Sequence, residues 1–295
     1  MPIQAHGGGI LHHQGFYYWY GENRDGAVRT IDGRPRLSAV GVSCYRSRDL
    51  LTWENLGVVL PVTDDPTHDL HALKVIERPK VIFHRRDGTF VMWLHIDSAD
   101  YQAARAGVAI ADDPAGPFRY LGSLRPNGFM SRDQTLFQDE DGRAYHLCAS
   151  DDNRTTMISV LSGDYLKPSG EFVKRFADRC MEAFAVCRRE GRYWMLASGC
   201  TGWEPNEARA ASCENLLGEW EEHGNPCVGE KAEITFGGQS TFILPPADGR
   251  SDDVAMFDVW RPGNLRTSGY TWLPIEWHDN RMSIRRRDDW DGGTK

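Results

Sequence analysis

Positive charge is in short supply in this chain. Against 42 Asp and Glu stand 34 Lys and Arg, a formal net charge of −8. That balance argues against a nucleic-acid partner, because phosphate backbones are held by basic surfaces. The one dense basic run, Arg285-Arg286-Arg287, leads into Asp288 and Asp289 and reads as a solvated strand end. Long apolar runs are missing, so no membrane partner is expected. Also missing is a basic stretch followed by an apolar one near Met1; the expected compartment is the cytoplasm unless a leader has been trimmed away. Seven Cys cannot pair evenly, and no CxxC or Cys/His metal spacing occurs. Most are expected to be buried free thiols, with Cys180/Cys187 and Cys200/Cys213 left open as bridges. No helix-period run of useful length stands out and no linker splits the chain, so residues 1–295 are expected to form one domain and to act as a monomer.

Aromatic side chains are plentiful: ten Trp, ten Tyr and twelve Phe. Their arrangement repeats. An x-Gly turn followed by an aromatic-rich strand occurs five times: Gln14-Gly15 before Phe16–Tyr20, Asp87-Gly88 before Phe90–Leu94, Asp141-Gly142 before Ala144–Leu147, Glu190-Gly191 before Tyr193–Leu196, and, more loosely, Asp248-Gly249 before Val254–Phe257. A short apolar strand precedes each turn, which is the signal of a β-hairpin. A second half-repeat follows several hairpins, with an outer strand, a polar turn and an aromatic such as Trp53, Phe118 or Trp220. Each unit therefore holds about four strands, and five units of roughly fifty to seventy residues fill the chain. The predicted fold is all-β, a five-bladed β-propeller.

In a propeller the innermost strands surround one axis, so residues at their starts converge. Blade by blade these are His6 and Glu22, Glu77 and Arg78, Arg132 and Asp133, Glu182, and Gln239. Carboxyl pairs suit glycosidic cleavage, in which one acid protonates the leaving oxygen and a second group activates water. Glu182, in Met181-Glu182-Ala183-Phe184-Ala185, has an apolar neighbourhood that favours the neutral acid. Glu77 lies beside Arg78 and is expected to stay ionised. Asp133 is a candidate for orienting sugar hydroxyls. Tyr101 and Trp203 fall in loops after second strands and suit stacking on a sugar, whereas Trp19, Trp93 and Trp194 sit within strands and belong to the core. Gly7-Gly8-Gly9 is no phosphate loop, since no Lys-Ser/Thr or helix follows; it lets the first strand come close to the axis. A zinc site of His6, His12 and His13 is disfavoured, because strand alternation puts neighbours on opposite faces.

These motifs together resemble glycoside hydrolase family 43, and most closely its exo-β-1,3-galactanase branch. The resemblance spans nearly the whole chain. It rests on Gln4–Leu11, Tyr17–Glu22, Glu77-Arg78-Pro79-Lys80-Val81, Ser131–Phe137, Met181-Glu182-Ala183, Thr201-Gly202-Trp203 and Gly237-Gly238-Gln239-Ser240, one or two motifs per blade in shared order. It implies a five-bladed propeller and an inverting mechanism with Glu182 as general acid. Most members carry an Asp as base on the first strand, where this chain has the triple glycine. In the galactanase branch a glutamine matching Gln239 handles the water as its imidic-acid tautomer, and a glutamate matching Glu77 tunes the acid. Glu22, Arg78, Tyr101, Asp133, Asp152, Asn153 and Trp203 match or lie close to sugar-contacting positions. The expected activity is removal of galactose from the non-reducing end of β-1,3-galactan, a polysaccharide or oligosaccharide substrate, with no cofactor and no metal. A cation on the axis is compatible with the fold, but the sequence offers no ligand set for one. The alternatives are another family 43 glycosidase, acting on arabinofuranosides, galactofuranosides or β-xylosides, and a galactan-binding propeller without catalysis.

Overall fold

The computed structural model describes residues 2–31, 34–247 and 252–287. The fold is a five-bladed β-propeller. Blade 1 pairs β1 (His6–His13), β2 (Phe16–Glu22), β5 (Gly41–Ser47) and β6 (Glu54–Pro61), with a small hairpin of β3 (Val28–Ile31) and β4 (Arg34–Leu37) inserted after β2. Blade 2 consists of β7 (Val75–His84), β8 (Thr89–Asp97), β9 (Arg105–Ala111) and β10 (Arg119–Leu124). Blade 3 consists of β11 (Gln134–Gln138), β12 (Ala144–Ser150), β13 (Thr155–Leu161) and β14 (Pro168–Arg175). Blade 4 consists of β15 (Met181–Arg189), β16 (Arg192–Gly199), β17 (Arg209–Cys213) and β18 (Glu221–Gly224). Blade 5 runs outward from β20 (Gln239–Leu244) through β21 (Val254–Val259) and β22 (Gly269–His278) to β23 (Arg281–Arg285), and β19 (Cys227–Val228) adds a parallel outermost strand. Among the described residues the only helical segments are short 3-10 turns.

Local chemistry sets the hairpins. In blades 1 and 4 only two residues separate the paired strands: Gln14-Gly15 between His13 and Phe16, and Glu190-Gly191 between Arg189 and Arg192. Both residues of each turn have positive φ, 50° and 74° in one, 49° and 82° in the other. That is the primed turn whose twist matches the flanking strands, and glycine takes its second position without steric cost. The fifth turn, Asp248-Gly249, lies outside the described residues, as do Asp288 and Asp289.

Period-2 alternation then builds the core. Tyr18 and Tyr20 face blade 2, while Tyr17 and Trp19 on the same strand face blade 5. The same holds around the ring, so the buried apolar residues fall into five clusters, one in each gap between neighbouring blades. The second strand of each of blades 1 to 4 is buried on both faces against neighbouring blades, which explains strand sequences richer in apolar residues than a half-solvated sheet would need. Trp19, Trp93 and Trp194 are buried here as expected. Trp53 and Trp220 fill equivalent places: each indole N–H donates to a carbonyl of the preceding turn, Leu50 at 3.0 Å and Leu216 at 3.2 Å.

The innermost strands contact one another in the cyclic order β1, β7, β11, β15, β20 and back to β1. The triple glycine serves this closeness: a Cβ on Gly9 would come within 2.8 Å of Lys80 and 2.9 Å of Phe242, from the inner strands on either side. All seven cysteines are free thiols, so neither Cys180/Cys187 nor Cys200/Cys213 is bridged; Cys187 and Cys213 sit in the cores of different gaps.

Trp93 is fully buried between blades 2 and 3, and its indole donates to the Tyr165 carbonyl at 2.8 Å. Trp93→Ala is expected to lower unfolding free energy by about 3–5 kcal/mol in denaturant titration. Phe172→Ala, on an outer strand with the residue 36% exposed, should cost well under half of that.

Candidate active site

Each innermost strand begins at the same end of the axis, and an irregularity near that beginning aims its side chains. The register slips between His6 and Gly9, Glu77 and Lys80, Glu182 and Ala185, and Ser240 and Phe242. In three blades the residue just after a candidate residue has a left-handed backbone: Gly7, Arg78 and Ala183, with φ of 58°, 51° and 58°. Such bulges bend a strand and redirect a side chain. They turn Glu77 and Glu182 into a pocket of about 270 Å³ whose lining also includes Glu22, Arg78, Asp133 and Gln239. That is below the roughly 300–1,000 Å³ of sites for drug-sized ligands, and suits one sugar ring. Tyr101, 38% exposed, and Trp203, 41% exposed, stand over it. A groove of about 490 Å³ opens off the side lined by Glu22, Glu77 and Tyr101, away from Glu182.

Gln239 is the best-held group. Its Oε1 accepts from Arg78 Nη2 at 2.6 Å and from Trp260 Nε1 at 2.8 Å. Its Nε2 donates to Glu182 Oε1 at 3.0 Å and to Ser198 Oγ at 3.2 Å. Guanidinium and indole groups only donate, so the amide has one orientation. Glu182 also takes a bond at 3.3 Å from Asn153 Nδ2 on Oε2. Burial, reinforced by the Asp133 carboxylate and opposed by Arg78, raises the Glu182 pKa to about 8. Both carboxyl oxygens thus accept from an amide, Oε1 in the shorter bond and Oε2 in the longer.

The other carboxylates are matched by cations. Arg24 Nη2 lies 2.6 Å from Glu22 Oε2 and 2.8 Å from Glu77 Oε1. Glu77 also accepts from Tyr101 Oη at 3.1 Å and lies 3.5 Å from His95 Nδ1. Burial works against its ionisation, but His95 and Arg24 outweigh burial and hold it well below the usual carboxylate range. Burial likewise disfavours protonation of His95, yet Asp97 at 3.0 Å and Glu77 raise its pKa to about 9. Glu22 has the shared Arg24 and little else; burial raises it to about 8. Asp133 bridges blades, accepting from Arg78 at 2.9 Å and from the Ala183 N–H at 3.2 Å.

Several expectations need correction. Glu77 is ionised by Arg24 and His95, not by its sequence neighbour Arg78, whose guanidinium turns to Gln239 and Asp133. Asp152 stands at the rim, two-thirds exposed and paired with Arg132 at 2.8 Å, and does not line the pocket; its neighbour Asn153 reaches Glu182. His6 is buried behind the pocket, 3.1 Å from Asp258 and stacked on Tyr270. His12 and His13 lie at the far end of β1 against Tyr17 and Phe83. One trio with metal-ligand reach exists among the described residues, Glu77, His95 and Asp133. Its carboxylates already face Arg24, Arg78 and a protonated imidazole, so the donor set does not fit a cation. Sequence reasoning missed Arg24, His95, Ser198 and Trp260. All four lie at or just beyond the ends of second strands, which antiparallel pairing sets beside the starts of the first.

A profile of the glycosyl hydrolases family 43 matches residues 7–281. The chain belongs to this family. Among solved structures it is similar to the family 43 β-1,3-galactosidase BT3683, solved with galactodeoxynojirimycin, at 40% identity over 98% of this chain and 95% of that one, with a TM-score of 0.92. It is also similar to the exo-β-1,3-galactanase of Phanerochaete chrysosporium, solved with galactose, at 35% identity and a TM-score of 0.86 over 96% of this chain and 63% of that one. For the exo-β-1,3-galactanase of Clostridium thermocellum the figures are 35%, 0.84, 96% and 61%. The chain thus spans under two thirds of the latter two. No curated protein sequence matches it.

Trp260→Phe keeps the ring but removes one donor from Gln239. Turnover of a glycoside substrate is expected to fall about ten- to hundredfold, the worth of one hydrogen bond to a charged or polarised group, with KM changed little.

Proposed function

We propose that the chain is an exo-acting, inverting glycoside hydrolase that releases galactose from the non-reducing end of β-1,3-galactan. The observation that carries the chemistry is Glu182, a carboxyl kept neutral by burial, bonded to Gln239 at 3.0 Å and lining, with it, a pocket sized for one ring. The substrate follows from the relatives, a β-1,3-galactosidase and exo-β-1,3-galactanases at 35–40% identity.

In this reading Glu182 gives its proton to the glycosidic oxygen as the bond to the anomeric carbon breaks. Positive charge grows on the ring, and the ionised Glu77 and Asp133 stabilise it. Water enters on the opposite face; to place it there, Gln239 must exchange its 3.0 Å bond to Glu182 for one to the water as the sugar enters between them. A hydroxyl-bearing imidic acid would point its O–H at Arg78 and Trp260, neither of which accepts, so we infer that Gln239 acts as an amide polarised through Oε1. Asn153 orients the acid, Tyr101 and Trp203 pack on the sugar, and Glu22, Arg78 and Asp133 meet its hydroxyls.

Incubation with β-1,3-galactan should release galactose, seen first as the α-anomer by NMR. Release of the β-anomer would overturn the inverting mechanism, and no release would overturn the activity. Glu182→Gln should lose at least about a thousandfold in turnover while galacto-oligosaccharide binding persists; unchanged turnover would remove Glu182 from the role of acid.

The pH profile has a predictable sign. Only protonated Glu182 donates, so turnover should hold below pH 8 and decline as pH rises through about 8. Glu77 must be ionised, and its lowered pKa places the acid limb below the ordinary carboxylate range.

A further inference from the structure

Two exposed cysteines flank the proposed acid. Cys180 immediately precedes β15 and Cys200 immediately follows β16, on either side of the last register pair, Met181 opposite Gly199. Cys180 and Cys200 are the next residues outward on the two chains, both just outside the paired strands. Antiparallel neighbours have Cα atoms about 4.5–5.5 Å apart, within the span of a disulfide. The other five cysteines are buried; these two are exposed. Alternation puts Cys200 on the face of Ser198, which is directly opposed to Glu182 and meets Gln239 with it. The left-handed backbone of Cys180, φ 48°, breaks the alternation there, and the Cys180 carbonyl accepts from Arg209 Nη1 at 3.4 Å, a guanidinium that also packs on Gly199 beside Cys200. The Cys200 thiol is raised by burial and by the Glu182 carboxylate, with which it shares a hydrogen bond, and it also feels the Cys180 thiol. From Cys200 the chain runs directly to Gly202 and Trp203 over the pocket. The proposed hydrolysis uses neither thiol.

We propose that Cys180 and Cys200 are a thiol pair that closes to a disulfide and shuts down the acid end of the pocket. The regulatory part rests on the reading of Glu182 given above. The oxidant is a low-molecular-weight disulfide. The Cys180 thiolate attacks one of its sulfurs, expelling one small thiolate and leaving a mixed disulfide. Cys200 then loses its proton and attacks the Cys180 sulfur, expelling the second. The protein loses two thiol hydrogens and two electrons, and the small disulfide becomes two thiols. Closing the bond draws Cys200 off Glu182 and ties down the root of the Trp203 loop, so the acid and the sugar platform leave their working positions.

The test treats the full chain with oxidised glutathione, alkylates free thiols, digests without reductant and identifies linked peptides by mass, with galactose release followed in parallel. The expected result is a peptide joining Cys180 to Cys200 and a loss of turnover of roughly tenfold or more, reversed by dithiothreitol. Cys180→Ser should keep the reduced-state turnover and lose its response to the oxidant. Alkylation of both thiols after oxidation, with no linked peptide, overturns the proposal; a linked peptide with unchanged turnover overturns the regulation. Because the linkage is read by mass, its outcome stays separate from that of the hydrolase reading, whose failure would show as a reduced protein that releases no galactose.

Discussion

The guanidinium of Arg78 is where the blades meet. It springs from blade 2 and reaches Gln239 Oε1 and the Ser240 carbonyl in blade 5 and Asp133 in blade 3, while the Arg78 carbonyl accepts from Gln134. Through Asp133 it touches blade 4, since the same carboxylate holds the Ala183 N–H. A propeller leaves its axis the least packed part of the molecule, and a buried cation with several acceptors fills that part at the cost of its own desolvation. That cost is met only if every acceptor is in place. The left-handed backbone at Arg78 belongs to the same account: strain of this kind persists where the surroundings over-determine the geometry.

The two carboxylates on Arg24 show how one environment gives unlike protonation states. Both are buried and both share that guanidinium. Glu77 has in addition a protonated imidazole and a phenol, so its charge is solvated by the protein; Glu22 lacks those partners and is pushed up to about 8. Glu182 is pushed up by a different route. It has no cation of its own, and Asp133 lies nearby. An acid that must be protonated near neutral pH is therefore made by assigning the available cations elsewhere, with Arg78 to Gln239 and Asp133 and Arg24 to Glu22 and Glu77. His95 depends in turn on Asp97, so the acid's proton affinity is set by a chain of pairings extending well behind the pocket.

The fold was legible because its signals are local. Two-residue turns such as Glu190-Gly191 and strands such as Tyr17–Tyr20, apolar on both faces, are written in short stretches, and repetition made them additive. The site was legible only where it shared that rule. Strand starts gave Glu77, Arg78, Asp133, Glu182 and Gln239. The rule failed for Trp260, Arg24 and His95, which arrive from the far ends of hairpins, with no repeat position marking them. It also failed on pairing: adjacency suggested Arg78 for Glu77, but a left-handed backbone at Arg78 turns successive side chains apart. Asp152 and Asn153 illustrate the limit most sharply, since neighbouring residues in one turn end at the rim and on the acid.

That limit bears on the glutamine. From sequence, an amide where a base belongs looks like a defect, because an isolated amide does not take up protons at neutral pH. In the folded chain Gln239 is not isolated. Two donors that cannot accept draw electron density onto Oε1, and this makes the nitrogen a better donor to Glu182 and Ser198. A carboxylate in the same place would accept from Arg78 and Trp260 equally well, but its second oxygen would face Glu182. Two carboxyl groups in contact hold one proton between them, so that proton would no longer belong to Glu182 alone. An amide cannot take that proton; its N–H by itself favours the ionised carboxyl, and burial with Asp133 nearby keeps Glu182 neutral. The missing charge at this position and the kept proton on Glu182 are thus one physical arrangement.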